Sequence, residues 1–206
     1  GFLSDVEHGR YAIEHPVSTE IIRAIDNRRA LHVAVLLHDI AKGRDEDHSI
    51  AGERIARELG PRLGLTPAET ETAAWLVEHH LQMSQFAQSR DLNDPKTIRD
   101  FAALVQSRER LKLLMLLTVV DLRAVGPDVW TGWKGQLLRT LYFETEPMLG
   151  GGHTGLSRTE RMVAAQDELR KRLADWPPAA LERFINRHSP SYWLRSDLDT
   201  IFEQAK

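Results

Sequence analysis

The stretch Leu31-His32-Val33-Ala34-Val35-Leu36-Leu37-His38-Asp39-Ile40-Ala41-Lys42-Gly43 decides how the chain is read. Up to Ala41 it is a nearly continuous apolar run of helical length, and Gly43 suits the position just past a helix end. A helix over 31–41 is expected, with the polar pair His38-Asp39 set into it. A carboxylate at the end of a buried helix is costly unless it is paired or bound to a cation. The arrangement recurs at 111–120, an almost wholly apolar run broken by Lys112 and Thr118 and followed directly by Asp121.

Helix signals fill the rest of the chain. Ser18 is placed to cap a helix carrying Ile21, Ile22 and Ile25. A polar helix over 48–59 is closed by Gly60-Pro61. Thr66-Pro67-Ala68-Glu69 joins a capping box to a proline at the first helical position and opens a helix to about His80. Asp94-Pro95 opens the next, through Ile98, Phe101 and Leu104. Ser107 starts one that runs to Val125 and stops at Gly126-Pro127. Residues 130–149 read as loop, then helix. Gly150-Gly151-Gly152 is a linker, Ser157-Arg158-Thr159-Glu160 a second capping box, and Pro177-Pro178 the break before a short helix to His188. No run alternates with period two. The expected fold is all-α, with a core bundle over 1–149 and a helical extension over 150–206.

Composition narrows the function. The 206 residues are 42% hydrophobic, which is enough for a packed core. The absence of cysteine removes disulfides, thiol catalysis, cysteine-bound zinc and iron–sulfur ligation, and it suits a reducing cytoplasm, the expected location. A net charge of −3 provides no basic field for nucleic acid or an anionic membrane. No segment reaches the roughly 18–20 apolar residues of a membrane helix. The chain begins at Gly1, and the expectation is a piece of a longer protein.

Chemistry gathers around histidine and aspartate. Of nine histidines, His38, His48, His79 and His80 fall at or near expected helix ends. With Asp39 and Asp121 they form a nitrogen and oxygen donor set suited to Mn, Fe, Zn or Mg. Read singly, each aspartate can equally cap a helix or pair with an arginine such as Arg123, and His79-His80 can be a polar helix terminus favoured by the dipole. Adjacent histidines diverge by about 100° on a helix, so both serve only if two ions sit side by side or the helix end unwinds. Lys42 shares a helix face with His38 and Asp39, where it can meet charge on a phosphoryl oxygen or simply favour its helix C-terminus. Trp130, Trp133 and Lys134 are candidates for substrate contact or, for the tryptophans, core anchors.

The string from Leu36 to Gly43 resembles the core motif of HD-domain phosphohydrolases. The order His38-Asp39, His48 with Gly52, His79-His80, Asp121 resembles the HD variants that hold two or more metals. Further stretches are similar to the HD domain of the bifunctional uridylyltransferase/uridylyl-removing enzymes: Asp47-His48-Ser49-Ile50-Ala51-Gly52, Trp75-Leu76-Val77-Glu78-His79-His80-Leu81, Ser89-Arg90-Asp91-Leu92-Asn93-Asp94, and Arg123-Ala124-Val125-Gly126-Pro127 with Trp130, Trp133-Lys134-Gly135 and Leu137-Leu138.

The resemblance implies an HD-domain helical bundle that hydrolyses a phosphodiester with divalent metal, Mg or Mn foremost and Fe or Zn as options. It implies that His38, Asp39 and Asp121 hold a primary ion, that His48, His79 and His80 complete a second, and that Asp39 bridges them. Asp39 and Lys42 are the implied catalytic residues, and Arg123, Trp133 and Lys134 the implied substrate contacts. The implied substrate is the uridylylated tyrosine of the PII signalling protein, within nitrogen regulation. The extension over 150–206 would lead toward C-terminal ACT domains, which this chain lacks, as it lacks the nucleotidyltransferase domain. Asp197 and Asp199 have no Gly-Ser turn before them and read as surface.

One departure stands out. The family's first metal histidine lies in an upstream Asp-Glu-His motif that this chain does not carry. Asp5-Val6-Glu7-His8 is only a distant echo, so His8, His15 and His32 are not counted as ligands. Two other readings follow: a general HD phosphohydrolase acting on nucleotides or an alarmone, and a catalytically silent HD scaffold.

Overall fold

The computed structural model describes residues 5, 8, 16–125, 130–149, 158–188, 192–193 and 201–202. The fold is all-α, with no strand among the described residues, and the chain divides into two compact units, residues 1–150 and 151–206. No helix among the described residues is long and apolar enough to cross a membrane.

In the first unit the helices are α1 (Pro16–Arg23), α2 (Arg28–Leu37), α3 (His48–Arg62), α4 (Pro67–His79), α5 (Gln82–Ser89), α6 (Pro95–Val105), α7 (Arg108–Val125) and α8 (Gly132–Thr145). A 3-10 turn, Glu146–Leu149, follows α8. The apolar run at 111–120 makes α7 the central helix. Leu111 and every residue from Leu113 to Val120 are buried, as expected of a helix that is hydrophobic all round. Helices α1, α2, α4, α5, α6 and α8 pack on it, with Phe101, Leu76, Met83, Leu31 and Ile22 fully buried against the same core.

Helices α3 and α4 approach unusually closely. Buried Gly52, Ala56 and Gly60 form a small-residue stripe on α3. A β-carbon on Gly52 would lie 2.8 Å from Val77 Cγ1, and one on Gly60 would lie 2.6 Å from Thr70 Cγ2. The Thr66 capping box forms as the sequence predicts: Thr66 Oγ1 accepts from the Glu69 N–H and Glu69 Oε2 from the Thr66 N–H. Asp94 likewise caps α6 by accepting from the Lys96 N–H.

Several expected boundaries shift. Ser18 is not a cap but a buried residue inside α1, which already starts at Pro16. Gly60-Pro61 does not close α3. The helix runs on to Arg62 with Pro61 in its last turn, at the cost of the backbone hydrogen bond that an N–H there would make. Its stop is Gly64, at φ +79°: the Leu65 N–H reaches the Gly60 carbonyl and the Gly64 N–H the Pro61 carbonyl, a Schellman closure. Helix α2 ends at Leu37, short of the expected Ala41. The expected stop at Gly126-Pro127, the linker at 150–152, the Ser157 cap and the pair Asp197 and Asp199 lie outside the described residues.

The second unit holds α9 (Arg158–Arg172) and α10 (Pro178–Arg187). Leu169, Leu173, Leu181, Phe184, Ile185, Trp193 and Ile201 form its core. Arg170 joins the two helices through Glu182 at 2.9 Å.

Candidate metal centre

Helix ends supply the centre. After Leu37 the chain leaves the α-helix and continues in tighter turns, with the Ile40 N–H on the Leu37 carbonyl (3.0 Å), Lys42 on Asp39 (3.0 Å) and Arg44 on Ala41 (3.3 Å). Gly43, at φ +88°, ends the run. This change of winding lets the neighbours His38 and Asp39 serve one cluster. His48 is the first residue of α3, whose N-cap Asp47 accepts from the Ser49 and Ile50 N–H groups. His80 is the C-cap of α4, and Asp121 lies near the end of α7.

The two oxygens of Asp39 face different partners. Oδ1 lies 3.9 Å from His48 Nε2 and 3.9 Å from His80 Nε2. Oδ2 accepts from Lys42 Nζ at 2.8 Å and lies 3.9 Å from His38 Nε2. His38 Nε2 in turn stands 3.4 Å from Asp121 Oδ1. The His80 ring is edge-on to both other imidazoles, with centroids 5.4 Å from His38 and 5.3 Å from His48.

Backbone carbonyls fix the tautomers. His38 Nδ1–H donates to the Val35 carbonyl at 2.9 Å, and His80 Nδ1–H to the Val77 carbonyl at 2.7 Å. Each ring therefore turns Nε2 toward the cluster, the orientation a ligating histidine needs. His80 is 1% exposed, and its Nε2 is buried with no hydrogen-bond partner among the described residues. An unsatisfied buried polar atom costs about 1–3 kcal/mol, and a cation beside it removes that cost. One donor atom from each of Asp39, His48 and His80 lies within 4.8 Å of the others, so this group could hold a metal ion. Ligand bonds of about 2.0–2.2 Å place donors on either side of an ion about 4 Å apart, close to the 3.9 Å separations seen.

Electrostatics support the same reading. The Asp121 carboxylate, accepting from His38, raises the imidazole pKa above its ordinary value despite partial burial. Burial alone would raise the Asp39 carboxyl, but the Lys42 hydrogen bond and the neighbouring His38 outweigh it and leave the pKa lowered. Burial pushes the His80 imidazole down, so it stays neutral with its lone pair available. The Asp39 hydrogen bond pushes the Lys42 ammonium up.

The structure thus gathers His38, Asp39, Lys42, His48, His80 and Asp121. His79 is the expected ligand that stands apart from this group. The His79 ring stacks on Trp75 at 4.7 Å, and its Nδ1–H donates to the Trp75 carbonyl at 3.0 Å. Because α4 stays helical through His79, the two histidines diverge and only His80 turns inward. Arg123 lies over the Trp130 ring at 5.9 Å. Trp130 is half-buried against the core, whereas Trp133 is 62% exposed on the first turn of α8. The Lys134 N–H donates to the Thr131 cap. The carbonyls of Val35 and Val77 carry no sequence signal, since any residue supplies a carbonyl.

Comparison with known proteins agrees with this geometry. The HD-domain family model matches residues 12–122, which takes in all six gathered residues. The chain is 53% identical over 208 residues to the bifunctional uridylyltransferase/uridylyl-removing enzyme of Bradyrhizobium diazoefficiens. That alignment covers all of this chain and 22% of the relative, so the chain spans about a fifth of that protein's length. No solved structure matches. On the family match over more than half its length, the chain belongs to the HD-domain family.

Proposed function

We propose that this chain is the uridylyl-removing module of a longer enzyme: a metal-dependent phosphodiesterase that releases uridine monophosphate from the uridylylated tyrosine of a PII signalling protein, in the cytoplasm. In this reading residues 1–149 are the hydrolase domain, and 150–206 extend toward regulatory ACT domains outside the chain. Support comes from the relative that is 53% identical along the whole chain, a bifunctional uridylyltransferase/uridylyl-removing enzyme. The observation that carries the metal chemistry is the orphaned, buried Nε2 of His80 beside Asp39 and His48.

In the reaction a water oxygen joins phosphorus and the bond to the tyrosine oxygen breaks, giving uridine monophosphate and tyrosine. A divalent ion, Mg or Mn, supplies Lewis acidity toward water and phosphoryl oxygen when bound. Asp39, His48 and His80 would hold it, and His38 with Asp121 would extend the donor set. The carboxylate oxygen suits Mg or Mn and the two imidazole nitrogens suit Fe or Zn, so the donor set is open to each of these ions. Lys42, whose side chain is 68% exposed while it touches Asp39, would meet the phosphoryl oxygens. The tyrosine phenol has a pKa near 10, so it departs as phenolate more readily than a sugar alkoxide and calls for no strong acid. Exposed Trp133, with Lys134 and Arg123, would contact the substrate beyond the reacting atoms.

Replacing Asp39 by Ala tests the scheme. The expected result is loss of metal-dependent release of uridine monophosphate from uridylylated PII. Undiminished release by that variant, or faster turnover of free nucleotides than of modified PII by the unaltered chain, overturns it.

A further inference from the structure

We infer that Glu109 is a positioning residue for the metal centre: its carboxylate sets the register of α2 against α7 and so brings His38 to Asp121. Glu109 lies in the first turn of α7, about 18 Å along the helix from Asp121 at 1.5 Å per residue. Its Oε1 accepts from the backbone N–H of Asp26 at 2.8 Å, the N–H of Asn27 at 3.0 Å and the side-chain amide of Asn27 at 3.3 Å. Asn27 is the N-cap of α2, yet its side chain makes no cap of its own. One carboxylate therefore sits at the positive ends of two helix dipoles at once.

The two helices share both ends. Their N-termini meet at Glu109 and Asn27, and their C-terminal parts meet at His38 and Asp121, so they run parallel. Asn27 to His38 spans about 17 Å, against the 18 Å from Glu109 to Asp121. The match leaves no room for slippage. A shift of one residue moves His38 by about 1.5 Å along the axis and turns it by about 100°, which breaks a 3.4 Å contact to Asp121. Lys112, on the same side of α7, donates to the Ala24 carbonyl at 3.0 Å, and Arg28 donates to the Ile22 carbonyl at 2.8 Å. They fasten the turn between α1 and α2, while Glu109 fixes where α2 begins.

The test uses the whole 206-residue chain and two readouts: Mn(II) affinity by calorimetry, and the nuclear Overhauser contact between the His38 ring and the Asp121 β-protons in the metal-free chain. Glu109→Ala should weaken Mn(II) binding about tenfold and lose the contact. Glu109→Gln keeps an oxygen acceptor and should retain both. Asp94→Ala removes the cap of α6, so it should lower the melting temperature and leave both readouts unchanged. Should Glu109→Ala fail to fold, Glu109→Asp, with a shorter reach, should show the same losses in weaker form. An intact Overhauser contact in the Ala or Asp variant overturns the inference, as does an equal loss of Mn(II) affinity in Asp94→Ala. The metal readout rests on the metal-centre reading of the function; failure of the unaltered chain to bind Mn(II) overturns that reading, and the contact then decides the register by itself.

Discussion

His38 Nε2 and Asp121 Oδ1 stand 3.4 Å apart, joining the ends of two buried helices that are distant in sequence. This contact raises the His38 pKa, and the sign of its effect on stability follows. A group whose pKa is raised on folding stabilises fully below its unfolded value, here near 6.5, and the contribution is lost as pH rises through the folded value. Asp121→Asn should therefore destabilise the metal-free chain more at pH 6 than at pH 9. Urea unfolding of both proteins at the two pH values measures the difference, and an equal loss at both would contradict the assignment.

The same raised pKa bears on metal loading. An ion that takes His38 as a ligand must displace its proton. Mn(II) affinity should rise as pH climbs from 6 to 8, with proton release detectable when the titration is repeated in buffers of different ionisation enthalpy. Affinity independent of pH would mean that His38 stays outside the donor set.

His80 trades stability for ligation. Its buried Nε2 has no hydrogen-bond partner among the described residues, so His80→Phe should leave the metal-free chain at least as heat-stable as the unaltered one while abolishing Mn(II) binding. Ligand at a hundred times its dissociation constant stabilises by about 2.7 kcal/mol. Melting curves should accordingly show a clear Mn(II)-induced rise in the unaltered chain and none in the variant.

Gly52 holds α3 against α4. With a β-carbon 2.8 Å from Val77 Cγ1, Gly52→Ala forces the helices apart at a cost of about 1–3 kcal/mol. Since His48 and His80 ride on these helices, Mn(II) affinity should fall too. Adding Val77→Ala makes room and should recover part of both losses; a double variant no better than the single one would show that the strain lies elsewhere.

Much of the fold could be read from residue chemistry. The all-apolar run at 111–120 announced a central helix, and Thr66 with Glu69, like Asp94 with Pro95, marked real helix starts because capping is local. Asp39 and Asp121 stand out in the sequence as costly carboxylates next to buried runs, whereas the grouping of His48, His79 and His80 with them rests on the family resemblance. Other features depend on tertiary placement. Whether α2 stops at Leu37 or Ala41 turns on what Asp39 meets across the bundle. His79 and His80 are chemically alike, and only the winding of α4 decides which one faces inward. Helix α5 was not foreseen, because Gln82–Ser89 has neither a capping residue nor a long apolar stripe. Glu109 reads as an ordinary first-turn acid until Asn27 is seen beside it.

The glycine-lined contact between α3 and α4 has a thermal consequence. Where two backbones touch with little between them, few rotamers are available to be excited on warming. The spacing of His48 and His80 should drift less with temperature than that of His38 and Asp121, whose helices meet through longer side chains. Heating would then loosen the Asp121 side of the cluster first, leaving the Asp39–His48–His80 group as the last part to come apart.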